Sequence, residues 1–266
     1  MLAAEAIGLL AMGLGIGAFG TLVGAGGGFL IVPLLVSIYD FDPALAVGTS
    51  LLVVFFNALS GSLAYLRQRR IDVKVGLMFI AFTIPGSIIG AYVTSYFSSS
   101  LFKIVFSGLL VVTSLYLIAR PCRDQCETGG TYRRTLVDSR GNVYEYSVNL
   151  VRGLIISLGV GFISSIFGIG GGIIHVPAMI FLLGFPVHIS TATSQFILAF
   201  TSLAGAATHS NLGNVNWEFA PLIGVGTAIG AQLGAFISPR TRGTNVERIL
   251  GLALAVAAAR LLMQVF

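Results

Sequence analysis

Ten apolar segments make up nearly all of this chain, at about residues 3–22, 25–38, 44–66, 75–97 and 101–119, and again at about 150–166, 169–184, 188–209, 217–237 and 246–265. A helix needs about 20 apolar residues to cross the hydrocarbon of a bilayer and must satisfy its own backbone there. The chain therefore has room for roughly eight to ten spans joined by short loops, and none for a separate soluble domain. Composition agrees: only 9% of residues are charged and 56% are hydrophobic, whereas about a quarter of a soluble domain is charged. Soluble enzymes, nucleic-acid binders and disulfide-stapled secreted domains are excluded as readings. The net charge of +5 is then a matter of membrane topology rather than of a polyanionic partner. Residues 1–22 lack a basic leader and run directly into the next apolar stretch, so they read as a retained helix rather than a signal peptide.

The segments fall into five, a polar linker, and five. One ungapped shift carries Gly24, Gly26, Gly27, Gly28, Val32, Pro33 and Phe41 onto Gly168, Gly170, Gly171, Gly172, Val176, Pro177 and Phe185. The same shift places Thr49, Ser50, Phe56, Leu59 and Gly61 on Thr193, Ser194, Phe200, Leu203 and Gly205, and Thr83, Gly86, Gly90 and Ala91 on Thr227, Gly230, Gly234 and Ala235. A register held over that length predicts an internal structural repeat. The expected organisation is a first transmembrane repeat at 1–119, a linker at 120–149 and a second repeat at 150–266.

Loop charges give the relative orientation, because cytoplasmic loops collect Lys and Arg. The loop after the third segment carries Arg67, Arg69, Arg70 and Lys74, while its counterpart at 211–216 has no basic residue. The next loop reverses this: 95–100 has none, and its counterpart has Arg240 and Arg242. With the Arg-rich linker also inside, five segments per half satisfy all of these loops, and an odd number inverts the second repeat. The expected fold class is all-α: a polytopic helical membrane protein of two inverted repeats. In each half the second segment is short, about 14 to 16 residues by the hydropathy pattern, which is less than a full crossing requires. It reads as part of a broken or re-entrant glycine-rich hairpin, so eight and ten true spans both satisfy the charges.

Short, Gly/Pro-interrupted segments at corresponding positions of two inverted halves point to a transporter binding site at the midplane. After Gly26, Gly27 and Gly28, and after Gly170, Gly171 and Gly172, the chain resumes as an apolar helix whose unpaired N–H groups and positive end attract anions. Glycine permits positive φ and close approach of a substrate to the backbone; the alternative use is tight helix packing. Thr49–Ser50 and Thr193–Ser194 offer hydroxyl donors without a buried charge, although such residues also bond their own helix or bridge two helices. Asn57 and Gln195 break the symmetry where the repeat has Thr201 and Leu51, and are placed to orient an asymmetric ligand or to bond between helices. His175 stands where the first copy has Ile31 and is a candidate proton holder or substrate donor, or a structural histidine. Acidic residues are absent from the middle of every segment, so no carboxylate proton relay is expected. An inside-negative potential drives each negative charge outward by about 2.3 kcal/mol per 100 mV, and anion export needs no coupling ion.

The linker holds Cys122 and Cys126, expected as free thiols because a zinc site wants four ligands and no His is near. Two short strands at 131–136 and 142–148, flanking Asp138–Ser139–Arg140–Gly141, predict a small hairpin. No cofactor, metal site or enzymatic nucleophile is expected.

The duplicated Gly24–Ala25–Gly26–Gly27–Gly28, with Val32–Pro33, Ala46–Val47–Gly48–Thr49–Ser50, Gly61 and the basic loop at Arg67, resembles the TauE/SafE family of sulfite and organosulfonate exporters. Gly168 to Pro177 with Thr193–Ser194 repeats the pattern. The resemblance implies a multi-pass permease of the cytoplasmic membrane, exporting sulfite, sulfoacetate or a related organosulfonate. The partners it implies are a small anionic substrate and the lipid bilayer. A passive anion channel, or a membrane scaffold that recruits a partner through the linker, are the alternatives.

Overall fold

A computed structural model describes the backbone of residues 3–119, 130–240 and 243–263. Cys122, Cys126 and Arg242 lie outside the described residues. The elements run α1 (Ala3–Val23), α2 (Gly28–Ile38), α3 (Pro43–Arg67), α4 (Val73–Thr94), α5 (Ser99–Ala119), β1 (Tyr132–Val137), β2 (Val143–Val148), α6 (Leu150–Phe167), α7 (Gly172–Phe181), α8 (Val187–Asn211), α9 (Phe219–Ile237), a 3-10 turn at Ser238–Arg240, and α10 (Gly243–Leu262). The protein is an all-α polytopic membrane protein. Among the described residues five helices, α1, α3, α4, α6 and α9, are long and apolar enough to cross a bilayer. Exposed apolar residues such as Ile88, Ile89 and Tyr92 on α4 and Val225, Ile229 and Leu233 on α9 supply a lipid-facing surface.

Both short second segments are shorter than the hydropathy pattern predicts. α2 has 11 residues and α7 has 10. Each opens directly after a glycine break and stops at a turn in which the chain adopts positive φ, at Asp40 and at Gly184. Apolar residues of the breaks themselves, Ala25 and Ile169, are fully buried without being helical, and hydropathy cannot tell buried turn from buried helix.

Apolar side chains do not drive helices together inside lipid, so association relies on close backbone packing. The two tightest seams are α1 with α9 and α4 with α6. Gly226, Gly230 and Gly234 recur every fourth residue on α9, where a Cβ would run into backbone atoms of Leu10, Leu14 and Ala18 on α1. On the other seam Gly86 and Gly90 meet Leu158 and Phe162 of α6 in the same way. In both seams the contacts advance in the same chain direction, so the paired helices run parallel.

α3 and α8 form the centre. Leu51 lies beside Gly205, Val54 and Leu198 flank both glycine breaks, and Asn57 bonds Gln195, so these two helices are antiparallel and cross near the middle of each. α5 and α10 pack on one another.

The linker hairpin is antiparallel, pairing Tyr132 with Val148 and Val137 with Val143, one residue from the strand limits expected. Its turn, the α3–α4 turn and the end of α9 meet around one cavity, and Ser139 N–H donates to the Gln68 carbonyl (3.0 Å). Arg67, Arg69, Arg70 and the hairpin arginines therefore share one face of the helical body. On the opposite face Tyr39, Phe41 and Phe219 form an aromatic cluster, with ring centroids 5.0 Å apart for Tyr39–Phe219 and 5.2 Å for Phe41–Phe219.

Candidate functional site

The two glycine breaks are built alike. Gly24, Gly26 and Gly27 all have positive φ, between 73° and 84°, and Gly168, Gly170 and Gly171 repeat this at 69° to 89°. A residue with a Cβ is strained in that region, which explains glycine at these positions. Gly27 and Gly171 directly precede α2 and α7, so the first N–H groups of each helix have no intrahelical acceptor.

The breaks lie against one another. A Cβ on Gly28 would meet the Gly168 carbonyl oxygen and the Ile169 backbone, and one on Gly172 would meet the Gly24 carbonyl oxygen and the Ala25 backbone. The serines of the Thr–Ser pairs tie this arrangement together reciprocally. Ser50 Oγ donates to the Gly168 carbonyl (2.8 Å), and Ser194 Oγ donates to the Gly24 carbonyl (3.1 Å). Val54 touches the Cβ positions of both Gly26 and Gly170, and so does Leu198. Val54 and Leu198 are sequence equivalents in the two halves, and both are buried.

The threonines point elsewhere. Thr49 Oγ1 accepts from the Asn216 N–H (3.0 Å) and Thr193 Oγ1 from the Asp72 N–H (3.0 Å). Each holds the start of the fourth helix of the opposite half, so the structure brings the serines to the breaks and leaves the threonines at the starts of α4 and α9.

Asn57 and Gln195 are brought together one turn from Val54 and Leu198. Gln195 Nε2 donates to Asn57 Oδ1 (2.8 Å) and to Thr21 Oγ1 (3.1 Å), while Asn57 Nδ2 donates to the carbonyls of Gly17 (3.0 Å) and Thr227 (3.2 Å). Gln195 Oε1 is buried and has no hydrogen-bond partner. An unpaired acceptor in the protein interior costs about 1–3 kcal/mol, and it marks a place for a donor. Across the centre Thr201 stands at the position equivalent to Asn57 and Leu51 at that of Gln195, so a cluster of hydroxyls takes the place of the amide pair. Ser87 and Ser165 hydroxyls are 2.6 Å apart, Thr201 Oγ1 donates to Thr83 Oγ1 (2.8 Å), and Ser87 Oγ donates to the Thr201 carbonyl (2.9 Å).

His175 is fully buried on α7, 3.3 Å from Ser157 Oγ through Nε2, with its ring beside Phe79 and Nδ1 unpartnered. It lies between α4, α6 and α7 and does not join the amide cluster. Thr21 and Ser165, which the sequence reading passed over, belong to the two polar clusters. They are equivalents three residues before the breaks, and a search for paired polar residues at the repeat shift finds them.

At the edge of the site Asp72 fastens the hairpin. Arg134 grips its carboxylate through Nε and a terminal nitrogen at 2.8 Å each, and Tyr146 OH donates to it at 2.6 Å. Burial pushes the Asp72 carboxyl up, but the hydrogen bonds from Arg134, Tyr146 and the Val75 N–H outweigh it and hold the group below the ordinary carboxylate value. Burial, then the adjacent carboxylate, pushes the Tyr146 phenol well up.

A family model described as "Sulfite exporter TauE/SafE" matches residues 9–261. The chain belongs to the TauE/SafE family. Among its relatives, "Probable membrane transporter protein YunE" of Bacillus subtilis is 38% identical over 96% of this chain and 97% of its own length. "Probable membrane transporter protein YfcA" of Escherichia coli is 23% identical, covering 90% and 83%. A probable membrane transporter protein of Methanocaldococcus jannaschii is 26% identical, covering 91% of each. No solved structure matches the chain significantly. Both glycine breaks, both Thr–Ser pairs and the amide cluster lie inside the range matched by the TauE/SafE family.

Proposed function

We propose that this protein exports a small sulfur-containing oxyanion, sulfite or an organosulfonate such as sulfoacetate, by alternating access at a pseudo-twofold site between two inverted repeats. The observation that carries the reading is the reciprocal pair Ser50–Gly168 and Ser194–Gly24, which joins the two glycine breaks midway along antiparallel α3 and α8. If equivalent helices crossing a bilayer run antiparallel, their repeats are inverted. The grouping of the basic loops on one face supports a cytoplasmic assignment for that face and for linker 120–149.

The chemistry follows from the residues. Gly26–Gly28 and Gly170–Gly172 present helix N-termini, whose N–H groups and dipoles favour an anion without a buried countercharge. Substrate takes the space that Val54 and Leu198 fill here, and the rocking of one repeat against the other exposes it to either side. Asn57 and Gln195 lie on only one side of the crossing, where they distinguish the two ends of an organosulfonate. The names of the relatives agree with membrane transport, and the sulfur chemistry comes from the family description.

Proteoliposomes holding the purified protein test this. Saturable flux of sulfite or a sulfonate, stimulated by substrate on the far side, is expected of a carrier, and Gly27→Leu and Gly171→Leu should abolish it in protein that remains folded. Full flux in both variants would remove the breaks from the site, and flux without trans-stimulation would make the protein a channel.

A further inference from the structure

The basic face holds a cavity that none of the glycine-break, Thr–Ser or amide-cluster residues lines. It has a volume of about 210 Å³ and is lined by Gln68 and Arg70 of the α3–α4 turn, Ser139 and Arg140 of the hairpin turn, and Phe236 and Pro239 at the end of α9. Arg70 is only 3% exposed, yet its Nε has no hydrogen-bond partner, and among the described residues its guanidinium makes one long bond, 3.4 Å, from a terminal nitrogen to Gln68 Oε1. No ion pair among the described residues includes it; the one between described side chains is Arg134 with Asp72. Asp138 also borders the cavity, but its oxygens already accept from the Arg140 and Asn142 N–H groups, the Asn142 amide and, at 3.4 Å, the Tyr144 hydroxyl. The Arg70 charge reaches the Asp138 carboxyl, but no hydrogen bond or ion pair joins the two; a guanidinium withdrawn from water with so little compensation is costly, and a planar fork of N–H donors is shaped for an oxyanion. Arg140 adds a second, exposed positive charge at the rim.

The part of the lining that α9 and the turn after it supply, Phe236 and Pro239, is apolar. Phe236, 63% exposed, is on the last turn of a helix long and apolar enough to span a membrane, so the cavity opens at the level where lipid phosphates meet acyl chains. We propose that the cavity beside Arg70 binds a phosphate-class oxyanion, and that its occupant is the headgroup of an anionic phospholipid. The phosphate pairs with Arg70 and Arg140, and the adjoining glycerol and chain lie along Phe236 and Pro239. A lipid held there bridges the α3–α4 turn, the hairpin and the end of α9. The inference does not depend on which anion the protein transports.

Thermal unfolding of the full chain in zwitterionic detergent, titrated separately with phosphatidylglycerol and with inorganic phosphate, tests it. Phosphatidylglycerol should raise the unfolding temperature saturably, with the half-saturating concentration roughly tenfold higher in Arg70→Gln, the loss of about one charged hydrogen bond, and higher by a smaller factor in Arg140→Gln. A shift from inorganic phosphate that matches the lipid and is lost in the same variants would keep the oxyanion site but overturn the lipid as its occupant. Absence of any shift, or equal shifts in wild type and both variants, would overturn the proposal. Should Arg70→Gln not fold, Arg140→Gln decides, because that side chain is exposed.

Discussion

Gly172→Ala is the smallest change that separates the two glycine breaks. The added carbon would stand 2.6 Å from the Ala25 Cα, and closer still to the Gly24 carbonyl oxygen, where carbon–carbon contacts relax only at about 3.5–4.0 Å. The break must open by roughly an ångström. Overpacking of that kind costs about 1–3 kcal/mol. At about 2–4 °C per kcal/mol for a chain of this size, the unfolding temperature should fall by roughly 2–12 °C. Gly28→Ala makes the corresponding collision with Ile169 and Gly168 on the other side, and should behave alike. The double variant should cost less than the sum of the two, because one separation relieves both collisions. Gly108→Ala is the control: nothing lies within 4 Å of its Cβ position, so it should leave stability unchanged or raise it. The assay is thermal unfolding in detergent followed by flux from the same preparation. Wild-type unfolding and flux in Gly172→Ala would refute the close packing of the breaks.

Three further outcomes follow from individual contacts. Arg134→Gln removes the fork on Asp72 and should lower stability at pH 7 by about 3 kcal/mol, the low end for a broken buried pair, because the Arg134 side chain is 20% exposed. Since the Asp72 carboxyl is held below its ordinary value, its contribution is complete above about pH 3.9 and is lost as the pH falls through the lower folded value; unfolding of the variant should be less pH-dependent across that acid window. Thr193→Val frees the Asp72 N–H and should cost about 1–3 kcal/mol while leaving the substrate concentration at half-maximal flux unchanged, whereas Ser194→Ala should alter the flux itself. Gln195→Leu removes the unpaired Oε1 and should change the ranking of organosulfonates more than the rate for sulfite, as measured by competition in liposomes.

The order of helices and the position of both breaks were legible because hydropathy and the duplicated glycines are local signals. The hairpin was legible too, from alternating strand residues around Asp138–Ser139–Arg140–Gly141. The partners of the hydroxyls were not. Ser50 and Thr49 are neighbours of similar chemistry, but successive positions on a helix face different directions, and one reaches a glycine break while the other reaches Asn216. No sequence pattern within either half states which residue of the other half stands opposite. The same limit hid the docking of Arg134 on Asp72, since a charged residue in a linker reads as solvated until the α3–α4 turn is placed beside it. The repeat shift also relates Tyr65 to His209, and both bond the carbonyls of the equivalent pair Thr21 and Ser165 (2.9 and 3.1 Å).

Net flux of sulfite between equal internal and external concentrations, under potentials of both signs imposed across proteoliposomes, tests the account most directly. Flux that runs away from the negative side, reverses with the potential and disappears in Gly27→Leu and Gly171→Leu is the expected result. Folded protein that moves neither sulfite nor any organosulfonate under either potential would contradict it.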